Sequence, residues 1–333
     1  MIDSSDTVLV TGGTGFTGLH LVRRLVETGA RVRVLARASS NRAPLADLEI
    51  DWVEGDVFDA DVIAGAVTGA TYIFHVAAAY REAKISDEVY WNVHVKSTQL
   101  LAEAATREPG LKRFVHVSTI GVHGHIEEPP ADETYRFAPG DAYQDTKVEA
   151  ELWIRDFAPR HDLPLTVIRP AGIYGPGDRR LLKVFKMAKL PLVPILGMKS
   201  KALYHLIHVT DLVEFMVLAA PLEKTLGEVY ICGNAEHIAF TDMVGVVAAK
   251  LGRSARFLRL PVTPFFIAGD ICEALCKPLG VEPPIYRRRV AFYTKDRSFN
   301  TAKMRADTGY TYRYDNRSGL ESLTDWYQKE GWL

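Results

Sequence analysis

The stretch Val8-Leu9-Val10-Thr11-Gly12-Gly13-Thr14-Gly15-Phe16-Thr17-Gly18 constrains the fold of this chain more than any other. An apolar run of strand character passes through four glycines into Leu19-His20-Leu21-Val22-Arg23-Arg24-Leu25, whose apolar positions recur at helical spacing. The glycines satisfy G-x-G-x-x-G through Gly13, Gly15 and Gly18, and G-x-x-G-x-x-G through Gly12, Gly15 and Gly18. Such a spacing has meaning only in context, and here it follows a predicted strand, opens a predicted helix and leads to a second strand-like run, Arg31 to Leu35. Glycine permits the tight turn and lets the backbone approach a pyrophosphate at the positive end of the helix. Residues Gly12, Gly13, Thr14, Gly15, Phe16, Thr17 and Gly18 therefore read as the cradle of a dinucleotide.

The chain continues by alternating strand-like and helical stretches. The further strand candidates are Ile50 to Glu54, Tyr72 to Val76, Phe114 to Ser118 and Leu165 to Arg169. This alternation predicts an α/β fold, a Rossmann-type doubly wound parallel sheet whose sites lie at the carboxyl ends of its strands. At 333 residues the length suits about two domains. Residues 1–170 are expected to form the dinucleotide-binding domain, and 171–333 a smaller, partly interwoven substrate lobe. That lobe should return one strand, Glu228 to Cys232, to the sheet and carry a helix from Thr241 to Leu251. Forty basic residues against forty-one acidic give no electrostatic case for nucleic acid. Cys232, Cys272 and Cys276 lack metal-ligand or disulfide-framework spacing, no metal site is expected, and the N-terminus has no leader character. With no apolar run of spanning length, a reducing cytoplasmic setting is the expectation.

Chemistry gathers at the predicted strand ends. Ala36 and Arg37 close the second strand where an NAD-binding fold would place an acid on the ribose 2'-hydroxyl. An arginine in its stead suits a 2'-phosphate, so NADP(H) is favoured over NAD(H). Asp56 and Val57 follow the third strand as candidate adenine neighbours, and Ala77 and Ala78 follow the fourth, small enough to let a cofactor close to the backbone. His75 reads as an imidazole packed at a strand end. Ser118 and Thr119 close the fifth strand, and Tyr143 and Lys147 stand at i and i+4 on the helix that follows. A lysine ammonium near a phenol favours the phenolate, which makes tyrosine a usable acid or base near neutrality.

With TGGTGFTG (11–18), GDV (55–57), HVAAA (75–79), VSTIGVHG (117–124), YQDTK (143–147), RPAGIYGPGD (169–178) and HLIHVTDL (205–212), the chain resembles the extended short-chain dehydrogenase/reductase superfamily nearly end to end. The resemblance implies that Tyr143 donates or accepts the proton and that Lys147 binds the nicotinamide ribose and tunes Tyr143. It implies that Thr119, with Ser118 as fallback, orients the substrate oxygen, and that Pro170 and Ile173 border the nicotinamide. It also implies a homodimer through the helices spanning Trp91 to Ala105 and Val148 to Phe157. The register puts His94 where the family usually carries asparagine; Asn92 lies two residues early and is given no catalytic role.

Relatives acting on nucleotide sugars commonly carry an arginine three residues before the segment that is Ile207-His208-Val209 here, and this chain has Tyr204. Apolar runs at Leu190 to Leu196 and Leu260 to Ala268 instead liken the lobe to the 3β-hydroxysteroid dehydrogenase and dihydroflavonol reductase branches; these runs suit either core or substrate contact. Cys272 and Cys276 read as packing residues. The expected function is hydride transfer between NAD(P)(H) and a carbonyl or secondary alcohol of an apolar, steroid-like or polycyclic substrate. The alternatives are a nucleotide-sugar epimerase or dehydratase with tightly bound NAD, and a non-catalytic dinucleotide sensor.

Overall fold

A computed structural model of the chain describes residues 1–79, 86–197, 202–276, 283–284, 290 and 296–333. The first half supplies β1 (Thr7–Thr11), α1 (Phe16–Val26), β2 (Arg31–Ala36), β3 (Asp51–Glu54), α2 (Ala60–Val67), β4 (Tyr72–His75), α3 (Asp87–Trp91), α4 (Ser97–Ala105), β5 (Arg113–Val117), α5 (Ala142–Arg160) and β6 (Leu165–Pro170). These strands join a later one, Val229–Cys232, in a seven-stranded sheet whose pairings are all parallel. From one edge the order is β3-β2-β1-β4-β5-β6 and then Val229–Cys232, so the winding reverses between β1 and β4. A ligand crevice belongs at such a reversal, beyond the carboxyl ends of the strands. The sheet is the expected Rossmann-type one, with strand bounds within about a residue of those read from the pattern.

Apart from the half-exposed edge strand β3, the sheet is buried on both faces, which is why its strands are near-continuous apolar runs. Val8, Val10, Val32 and Val34 face α1, while Leu9, Ile73, Phe114 and Val167 face α2, α4 and α5. After β6 come β7 (Gly172–Tyr174), α6 (Leu182–Met187), β8 (Val193–Leu196), β9 (Leu203–Tyr204), β10 (Leu206–His208), α7 (Val209–Ala219), β11 (Val229–Cys232), β12 (Ile238–Ala239), α8 (Phe240–Lys250), β13 (Phe257–Leu260) and α9 (Thr263–Cys276). Helix α7 returns to pack on α1, tied by the Arg24–Glu214 ion pair, while three two-stranded pairings, β10 with β7, β12 with β9 and β13 with β8, shape the remainder. A separate apolar cluster around Phe185, Val244, Leu323 and Tyr327 gives this part its own core. Among the described residues no helix is long and apolar enough to cross a membrane.

The two apolar runs of this part divide between core and surface. Val193 and Ile195 are buried, whereas Leu190, Leu192 and Ile267 are exposed. Cys272 and Cys276 are half-buried, with sulfurs 3.9 Å apart on successive turns of α9. That helix fully buries Gly269 alone, so its cysteines pack at the edge of the core rather than inside it.

Candidate active site

The glycine stretch forms a loop from β1 into α1. Gly12 has φ of 72°, and a Cβ there would come 2.7 Å from the Ala77 backbone, so the turn and the close approach of the segment after β4 both require glycine. Gly15 caps α1 with no side-chain hydrogen bond to its first amides and is exposed, with only the Gly12 carbonyl near its own added Cβ. The donors at the head of α1 thus stand behind an open surface, which fits a dinucleotide pyrophosphate. Thr14, Phe16 and Thr17 are half-buried around it, and Arg180, on the loop before α6, lies 5.5 Å over the Phe16 ring. The fit extends along the strand ends. Arg37 is exposed after β2 and has no ion pair among the described residues, whereas nearby Arg42 is held by Glu54. Asp56 and Val57 follow β3, Ala77 and Ala78 follow β4, Pro170 ends β6 and Ile173 lies on β7.

Helix α5 begins where it does because the Asp141 carboxylate accepts from the Gln144 backbone N–H, a cap worth about 1 kcal/mol. This puts Tyr143 in the first turn, half-buried, and Lys147 one turn on, buried. The Lys147 ammonium donates to the Val117 carbonyl at 3.0 Å, and it makes no other hydrogen bond among the described residues. Burial lowers its pKa to about 8, and the Glu151 carboxylate works against that shift, so Lys147 remains largely charged at neutral pH.

Thr119 follows β5 and is half-buried. Its hydroxyl oxygen accepts from the Gly121 backbone N–H at 3.0 Å, leaving its own hydrogen to donate elsewhere. Ser118 differs. Its hydroxyl donates to Glu151 at 2.6 Å in the interior, so it is not the alternative substrate contact named beside Thr119. Glu151 is the residue that the sequence reading missed. It continues the i, i+4 column from Tyr143 and Lys147, is fully buried, and receives the equally buried Arg169 guanidinium of β6. Arg169 in turn reaches the His123 ring and the Glu133 carbonyl. The spacing 143, 147, 151 on a helix face turned to the sheet was the available signal.

Two histidines lie behind these residues, and their hydrogen bonds fix their tautomers. The hydroxyls of Ser97 and Thr98 donate to backbone carbonyls, so they accept from His75 Nε2–H at 3.1 Å, and Thr11 donates to His75 Nδ1 at 2.7 Å. Burial lowers the pKa of His75 to about 3. It is a neutral bridge from β1 to α4, hydrogen-bonded rather than merely packed. His94 lies in a π-helical turn, Asn92–Lys96, that joins α3 to α4, and burial lowers its pKa to about 2. Where nucleotide-sugar relatives carry the arginine, Tyr204 is buried in the apolar cluster beside Phe240.

Residues 8–233 match the model of the NAD dependent epimerase/dehydratase family. The chain is 31% identical to a 3 beta-hydroxysteroid dehydrogenase/Delta 5-->4-isomerase of Mycobacterium tuberculosis, over 96% of this chain and 90% of that protein. It is 28% identical to a putative dihydroflavonol 4-reductase of Synechocystis, over 100% and 97% of the two chains. Among solved structures, the crystal structure of gox2253 superposes with a TM-score of 0.81 at 28% identity, covering 98% of this chain and 99% of the other. The chain is an enzyme that belongs to the NAD dependent epimerase/dehydratase family.

Proposed function

We propose that this enzyme interconverts a carbonyl and a secondary alcohol on an apolar, steroid-like or polycyclic substrate, using NADP(H). The observation that carries the substrate class is an apolar cavity of about 230 Å³ lined by Met187, Pro194, Ile195, Leu196, Phe240, Leu260 and Phe265. The two apolar runs line it together, and Tyr204, in place of a phosphate-binding arginine, packs against one of its walls, Phe240. A cavity walled by aliphatic and aromatic side chains suits an apolar ligand body. The names of the steroid dehydrogenase and reductase relatives support the same class.

In this reading the nicotinamide supplies or accepts the hydride when bound. The residues present fit it: the amides at the head of α1 hold the diphosphate, Arg37 meets a 2'-phosphate, and the uncommitted N–H groups of Lys147 hold the nicotinamide ribose. Thr119 donates its free hydroxyl hydrogen to the substrate oxygen. Tyr143 gives that oxygen its proton in reduction and takes it in oxidation, with the Lys147 cation favouring the phenolate. Val89, Trp91 and Leu152 are exposed on α3 and α5, and Trp91 donates to Glu149 between these helices, which supports a homodimer through them. The sparse, unpaired cysteines support a cytoplasmic setting.

A panel of apolar ketones and alcohols, assayed by cofactor absorbance with the wild type and Tyr143→Phe, tests the reading. Wild-type turnover that falls roughly 10²- to 10⁴-fold in the variant, with dinucleotide binding retained, is the expected result. Tightly co-purified NAD with epimerisation of a nucleotide sugar and no net redox would overturn it.

A further inference from the structure

The site just described leaves His94 without a task, although it is buried at the join of three elements that the chemistry uses. Its Nε2 accepts the Ala79 backbone N–H at 3.1 Å, in the segment after β4. Its Nδ1 lies 2.8 Å from the Thr146 hydroxyl on α5. That hydroxyl spends its hydrogen on the Ala142 carbonyl at 2.9 Å, so it accepts from His94 Nδ1–H. Both ring nitrogens are thus satisfied by one neutral tautomer, with no freedom for the ring to flip. The same ring meets the Tyr143 ring edge to face at a centroid distance of 5.1 Å and stacks on Tyr90 at 5.8 Å. A π-helical turn, which costs helical regularity, carries it there.

We propose that His94 is a positioning residue for Tyr143: it clamps the segment after β4 to the first turns of α5 through Ala79 and Thr146, and braces the phenol ring in its working orientation. The clamp uses both ring nitrogens of one neutral imidazole, and the ring itself is set against Tyr143. Because protonation would remove the acceptor for Ala79, the clamp needs the imidazole neutral, and burial together with the nearby Lys147 cation keeps it so. Nothing in this arrangement touches the substrate oxygen, so its loss should slow chemistry without weakening substrate binding.

The inference rests on the reading of Tyr143 as the proton-transferring group, and the test separates the two. Thr146→Val keeps the side-chain volume but removes the acceptor for His94 Nδ1–H; Thr146→Ser restores a hydroxyl; His94→Phe keeps the ring and removes both hydrogen bonds. Expected are a fall in kcat of roughly 10- to 100-fold for Thr146→Val and for His94→Phe, with KM for the ketone within about twofold of wild type. Thr146→Ser should recover most of kcat. In the double variant the two losses should not add, because each removes the same clamp. Wild-type kcat in Thr146→Val, or additive losses in the double variant, would overturn the clamp while leaving Tyr143 in place. Wild-type kcat in Tyr143→Phe would instead overturn the reading beneath it. Thr146→Val guards against the case in which His94→Phe does not fold.

Discussion

Single residues carry the expected cofactor preference and hold the strand ends. Arg37 is exposed beyond β2 with no ion pair among the described residues, and the neighbouring Ala36 is buried and offers no acceptor to a ribose 2'-hydroxyl. NADPH should therefore bind roughly ten- to a hundredfold tighter than NADH at low salt. Replacing Ala36 with Asp and Arg37 with Ala should reverse that order in a fluorescence titration, and equal affinities in the wild type would leave Arg37 a mere surface charge. Deeper in, the Glu151–Arg169 pair has no exposure at all, and breaking such a pair leaves a desolvated charge behind. Glu151→Ala should cost about 3–5 kcal/mol in urea unfolding. Pairing it with Arg169→Leu should recover much of that loss, because the stranded guanidinium is then gone. Equal stability of Glu151→Ala and wild type would mean that the His123 ring and the Glu133 carbonyl already suffice to hold the Arg169 charge.

At the scale of elements, the alternation of strand and helix was legible because the inner strands of the sheet are buried on both faces and the helices packed on it carry apolar stripes. The glycine loop was legible for a different reason: Gly12 cannot carry a side chain against Ala77. The Glu151–Arg169 pair was not, since a charged residue on a helix reads as surface until the sheet is laid against it. Nor was the π-helical turn, because one extra residue in a helix shifts the register by less than the looseness of the apolar pattern around Asn92–Lys96. That turn and α5 lie on the face expected to pair with a second copy. Val89 and Leu152 are 42% and 47% exposed there, and a symmetric contact would bury them together with Trp91. Light scattering at micromolar concentration should give twice the chain mass for the wild type. Leu152→Asp should lower that mass toward the monomer without changing the far-ultraviolet circular dichroism, whereas a monomeric wild type would end the idea.

Over the whole molecule, burying several histidines in neutral form makes stability depend on pH. Burial lowers the pKa to about 3 in His75, about 2 in His94 and about 4 in His205 and His208, and well below its ordinary value in His116. In the unfolded chain each titrates near pH 6.5, so between that value and the folded pKa the unfolded state binds the extra protons. Their contribution is fully present above about pH 6.5 and is lost as pH falls. Urea midpoints should therefore drop steeply from pH 7 to pH 5, a window above most carboxylate titration, with an uptake on unfolding of several protons. His116 isolates the effect, because both its ring nitrogens are buried without a partner among the described residues, whereas His75 and His94 have hydrogen bonds to lose. His116→Phe removes one titrating group and two unsatisfied polar atoms at similar volume. The variant should be at least as stable as wild type at pH 7, more stable at pH 5, and shallower in its pH slope by about one proton, near 1.4 kcal/mol per pH unit. A slope unchanged by the substitution would mean that His116 is protonated in the folded protein after all, and a flat wild-type profile between pH 7 and pH 5 would remove the argument for the whole set.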